Sequence, residues 1–117
     1  MLDSKRTLLV VALLTVVGWA GASVARAEDA AELWAKNCAS CHGKDAKGET
    51  KVGAMMKIAN LTDPAVRAKL DKAKVIKAIK EGVKNETAGG KDMKPLGAKI
   101  DDAQAALLAD YVMALKP

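Results

Sequence analysis

Apolar positions recur at helical spacing in several stretches of the chain, and no stretch alternates at the two-residue period of a strand. The clearest stripe lies near the C-terminus, where Leu107, Leu108, Tyr111, Val112 and Leu115 fall on one face. Asp101 or Asp102 is placed to cap that helix and Pro117 ends the chain. Val75, Ile76, Ile79 and Val83 form a second stripe over residues 71–81. Lys74, Lys77 and Lys80 lie off it, and Gly82 is placed to end the helix. A third helix is expected over residues 28–37, with Ala30, Leu33, Trp34 and Asn37 on one face. Asp29 would cap it, and Glu32 would complete an Asp variant of the capping box. Residues 54–58 can make a helical turn. Leu61-Thr62-Asp63-Pro64 opens a short helix reaching about Leu70, with Thr62 or Asp63 as cap and Pro64 at the first position. The expectation is an all-α domain of three to five helices. Residues 43–60 and 85–97 read mostly as long loops rich in lysine and glycine. Loops of that length in so small a domain need something to wrap around.

The 117 residues suffice for one small domain, and the first part of the chain reads as a leader. Lys5 and Arg6 precede an apolar run over residues 8–22, and Ala25-Arg26-Ala27 supplies the small residues of a cleavage site. This is the layout of a secretory signal peptide, residues 1–27, cleaved after Ala27. The competing reading is an uncleaved membrane anchor, for which the run is near the lower limit of length. Cleavage leaves a domain of residues 28–117 and takes away Lys5, Arg6, Arg26 and Asp3. Of 19 basic and 14 acidic residues, 16 and 13 remain. The one remaining arginine is Arg67, which speaks against nucleic acid as a partner. The domain has two aromatic residues, Trp34 and Tyr111, and no Phe. A chain this short and this poor in aromatics lacks core material, so a non-protein group is expected to supply the missing bulk.

The stretch Cys38-Ala39-Ser40-Cys41-His42 holds every cysteine and the single histidine of the chain. A structural zinc site wants four ligands, and two Cys and one His make three. A redox dithiol of the thioredoxin type needs a βαβ pattern that is missing here. C-x-x-C-H spells covalent haem attachment. Two thiols one turn apart reach the two vinyl groups of one porphyrin. The adjacent His42 then lies under the ring and binds iron from one axial side. Export fits this chemistry, and a flat apolar group supplies the absent core.

A second histidine cannot fill the other axial position, because the chain has none. Met/His ligation is the usual electron-transfer arrangement. Met113 lies off the apolar stripe of the last helix and reads as a peripheral residue. Met55 and Met56 follow His42 so closely that wrapping to the opposite face is tight, and they read as gap-filling core. Met93 stands in a loop opened by Gly89-Gly90 and stiffened by Pro95, and it is the expected ligand.

These features together resemble a small class I c-type cytochrome with one haem. The likeness covers nearly all of residues 28–117: the helix with Leu33 and Trp34, CASCHG, GKDAKGETKVG, LTDP, AIKEGV, MKPLG and ALLADYVMALK. It implies a cytochrome c-like fold whose first and last helices cross near Trp34 and Tyr111. It implies one haem c attached through Cys38 and Cys41, with His42 and Met93 as axial ligands. Two departures stand out. Lys94 separates Met93 from Pro95, where many members have Met followed directly by Pro. No proline follows the motif between Gly48 and Met56 to offer its carbonyl to the His42 ring, so a carbonyl near Val52 or Gly53 is expected to serve.

The function expected is a periplasmic electron carrier, not an enzyme in itself, that cycles Fe(III) and Fe(II). Its partner would be a redox protein or a membrane respiratory complex, met by transient docking of a monomer. Contact with a membrane is expected only if the leader stays. Lys44, Lys47, Lys51, Lys57, Lys91, Lys94 and Lys99 fall in loops that would border the ring and could steer an acidic partner, or be an ordinary solvated surface. Two alternatives remain open. One is a haem subunit of a larger oxidoreductase complex. The other is a ligand-binding or sensor haem protein, if Met93 does not bind iron.

Overall fold

The computed structural model describes residues 22–117. Most of the expected leader, residues 1–21, lies outside them. Helix α1 (Ala22–Asn37) begins before the expected start at residue 28. Asp29 therefore sits inside the helix rather than capping it. Alanines recur from Ala22 to Ala31, and alanine is the best helix former, so the helix extends back through them. Helix α2 (Ala39–His42) follows after the single turn residue Cys38, so the C-x-x-C-H motif forms a helical turn at the end of α1.

Side-chain caps set the later helix starts. Thr50 caps α3 (Lys51–Met56), its hydroxyl accepting from Gly53 N–H at 2.8 Å. Asp63 caps α4 (Pro64–Arg67), accepting from Ala65 N–H at 2.8 Å. Asp71 caps α5 (Lys72–Glu81), accepting from Lys74 N–H at 2.8 Å. Gly82, with φ at 81°, ends α5 in a region that only glycine adopts readily. Asp101 and Gln104 form a reciprocal capping box at the start of α6 (Asp102–Met113), with bonds of 2.8 and 3.0 Å. Three of these six segments have four to six residues, too short for periodicity to reveal.

The fold is all-α. Among the described residues the only strand-like pairing is one antiparallel bridge between Val83 and Met93. The core joins α1, α5 and α6: Trp34 and Cys38, then Val75 and Ile79, then Ala105, Leu108, Ala109 and Val112. Leu107, Tyr111 and Leu115 of the expected stripe are only partly buried, and the alanines take the inner places. Small residues there let the helices approach closely. Trp34 and Tyr111 meet as expected, with ring centroids 5.4 Å apart. Arg67 ties α4 to the end of α6 by donating to the carbonyls of Val112 at 3.1 Å and Met113 at 2.8 Å. No helix of the described residues is long and apolar enough to cross a membrane.

Candidate functional site

A cleft of about 410 Å³ opens between the core helices and the loops that follow α3 and α5. Its walls are mostly apolar: Trp34, Ile58, Leu70, Val75, Ile79 and Leu108 contribute. The volume is that of a site for a small organic ligand or cofactor. Cys38, His42 and Met93 all line it.

The turn that joins α1 to α2 positions the first two. Cys38 N–H donates to Trp34 carbonyl at 2.9 Å, and His42 N–H donates to Cys38 carbonyl at 2.9 Å, so the turn continues the α1 ladder. Trp34 braces it from below: its indole N–H donates to Gly43 carbonyl at 3.0 Å, and its ring centroid lies 5.8 Å from that of His42. Thr50 adds a tie, its hydroxyl donating to Cys41 carbonyl at 2.7 Å. Cys41 stands one turn from Cys38, half-buried, and does not line the cleft.

Burial lowers the His42 pKa and so favours the neutral imidazole, the form that binds a metal. Its Nδ1 is buried and has no hydrogen-bond partner. The carbonyl expected near Val52 or Gly53 does not reach it. Gly53 carbonyl is committed within its own turn, accepting from Ile58 N–H at 3.1 Å.

Among the described residues no three Cys, His, Asp or Glu side chains are gathered to hold a metal ion, as zinc would need. Both cysteines are free, and burial, with Cys41 as the lesser cause, pushes the Cys38 thiol up to about 11.

Met93 reaches the cleft from the loop after α5. Its N–H donates to Val83 carbonyl at 2.9 Å and its carbonyl accepts from Val83 N–H at 3.0 Å. Met55, 60% exposed, is not the core residue expected, and neither it nor Met56 lines the cleft. Met113 is exposed, as expected. Of the seven lysines expected around the cleft, Lys57 and Lys91 line it, and Lys74 and Lys84 join them. Asn85 also lines it, a residue the sequence pattern gave no reason to single out.

The chain matches the family described as cytochrome c oxidase, cbb3-type, subunit III over residues 25–112. It is 33% identical over 89 residues to the cbb3-type cytochrome c oxidase subunit FixP of Azorhizobium caulinodans. That match takes in 76% of this chain and 27% of the relative, so the chain spans about a quarter of the relative's length. Among solved structures it is similar to the KustC0563 c-type cytochrome, with a TM-score of 0.64 and 24% identity, over 76% of this chain and 99% of that one. The last likeness is one of fold.

Proposed function

The chain belongs to the family of cytochrome c oxidase, cbb3-type, subunit III, and from that premise we propose that it is a single-haem electron carrier of the periplasm. As a c-type cytochrome it takes haem c. We assign Cys38 and Cys41 as the thioether anchors and His42 and Met93 as the axial ligands. The observation that carries this reading is that Cys38, His42 and Met93 line one apolar cleft. Cys38, His42 and Met93 fit the group: the walls are apolar and burial favours the neutral imidazole, while Cys41, outside the cleft lining, stands one turn from Cys38.

Bound haem supplies a one-electron Fe(III)/Fe(II) couple. With His42 and Met93 both holding the iron, no position on it would be left for a substrate. Trp34 and the α1–α2 ladder orient His42, and the Val83 bridge presents Met93. Apolar walls exclude water, which favours the less charged state of the site. A redox protein or membrane respiratory complex is the partner, met transiently by a monomer once residues 1–27 have been removed.

A second reading has its own support. The relative is by name an oxidase subunit, and this chain matches 27% of its length. A haem subunit permanently docked in a larger oxidoreductase complex would co-purify with it, whereas a free carrier would run as a monomer.

The test is the visible spectrum of the holoprotein, oxidised and reduced, with and without carbon monoxide. His/Met ligation gives sharp reduced bands, a far-red iron–thioether band when oxidised, and no response to carbon monoxide. Met93→Ala should lose the far-red band and respond to carbon monoxide. A variant that kept the wild-type spectrum would remove Met93 from the ligand set. Wild-type protein that binds carbon monoxide would turn the reading to sensing or catalysis.

A further inference from the structure

We propose that Asn85 is a positioning residue for Met93: its side-chain amide fastens the loop carrying Met93 to the end of α3, and so sets how readily an outside ligand takes Met93's place. The inference rests on the axial assignment above. Val83 and Met93 close the base of this loop, and most residues between them are exposed. Asn85 is the exception near its start, half-buried and lining the cleft.

Its Nδ2 donates to the carbonyls of Met56 at 2.8 Å and Lys57 at 3.2 Å. These belong to the C-terminal end of α3, where helix carbonyls lack partners of their own. Its Oδ1 accepts from Thr87 N–H at 3.0 Å. Its backbone N–H donates to Asp92 Oδ1 at 2.9 Å, on the residue directly before Met93. Lys91 N–H adds a bond to the same Met56 carbonyl at 3.1 Å. The packing matches: a Cβ on Gly90 would stand 2.5 Å from Asn85 Nδ2, so glycine leaves room for the amide. At its other end α3 is tied to the haem motif, through the Thr50 hydroxyl and Cys41 carbonyl. A continuous run of contacts therefore leads from the motif through α3 and Asn85 to Met93.

A helix cap with no further role would also use the Met56 and Lys57 carbonyls, and ligand exchange separates the two. An outside ligand binds only when Met93 is away, so its apparent affinity scales with the open fraction of the loop. Losing the amide should raise that fraction about tenfold, the equivalent of one or two net hydrogen bonds.

The experiment is an imidazole titration of oxidised holoprotein followed in the visible spectrum, with denaturant stability measured beside it. Asn85→Ala should bind imidazole about tenfold more tightly than wild type. Asn85→Asp keeps the shape and the acceptor for Thr87 but cannot donate to α3. It should also bind more tightly, and it decides the matter if Asn85→Ala fails to load haem. Glu86→Ala, at the exposed neighbour, should match wild type. Wild-type affinity in both Asn85 variants, with or without a loss of global stability, would make Asn85 a cap only and overturn the proposal. Wild-type protein without a far-red band would instead overturn the axial assignment on which the proposal stands.

Discussion

His42 and Met93 line the same cleft from elements of different kinds. His42 ends a helical turn built onto α1, beside Trp34 and Cys38, which are 4% and 6% exposed and belong to the core. Its wall stands on buried apolar area, which contributes about 25 cal/mol per Å². Met93 hangs on a loop whose neighbouring residues, Asp92 and Lys94, are exposed. Its wall stands on the Val83 bridge and the Asn85 amide, hydrogen bonds that each contribute about 0.5–1.5 kcal/mol net. Packing of the first kind gives way only with the whole core. Hydrogen bonds near water give way locally. The Met93 wall should therefore open on its own while the His42 wall stays in place.

The largest expected effect removes the first wall's anchor. Cys38→Ser with Cys41→Ser should leave the chain without haem and largely unfolded, since ligand binding and folding are coupled when the protein core is sparse. Far-UV circular dichroism checks this, and native-like helicity in the double variant would show that the protein core suffices alone.

Gly82→Ala strikes the second wall. An added Cβ would lie 2.5 Å from Met93 carbonyl, at a φ of 81° that disfavours any side chain. The cost should be about 3 kcal/mol in denaturant unfolding, with the far-red band weakened. Trp34→Phe strikes the first wall more gently. It keeps an aromatic ring but leaves Gly43 carbonyl without the indole donor, at a cost of about 2 kcal/mol. Here the far-red band should persist until global unfolding. If the two variants changed that band alike, the walls would not be separate.

The smallest effect concerns Asp102, whose carboxyl is held below its ordinary range by the hydrogen bond from Lys80 and then by its charge. A depressed acid contributes stability that is fully present above its unfolded pKa and is lost as pH falls through the folded value. The carboxylate is fully exposed, so the gain is small and salt should erase it. Comparing Asp102→Asn with wild type at about pH 7 and about pH 3, in low and high salt, checks the sign.

Local chemistry made much of this molecule legible. Ala39–His42 is one turn of helix, Asp63, Asp71 and Asp101 cap within three residues of themselves, and Gly82 donates to the Ala78 carbonyl four residues back. The Trp34–Tyr111 contact followed from a family resemblance, because no local pattern joins residues so far apart. What could not be read depends on distant partners. Asn85 matters through Met56, 29 residues away. Ala105 and Ala109 enter the core because neighbouring helices press close to them, which periodicity weighted toward large side chains does not reveal. The start of α1 before residue 28 and the missing acceptor for the His42 ring are of the same kind. Each depends on how far a helix propagates or where its carbonyls are already committed.

Native-state hydrogen exchange of the holoprotein tests the separation of the two walls most directly. The amides of Met93, Val83 and Lys91 should exchange through a local opening that is insensitive to low denaturant, while those of Cys38 and His42 should exchange only with global unfolding. Equal protection and equal denaturant dependence at all five amides would contradict the account.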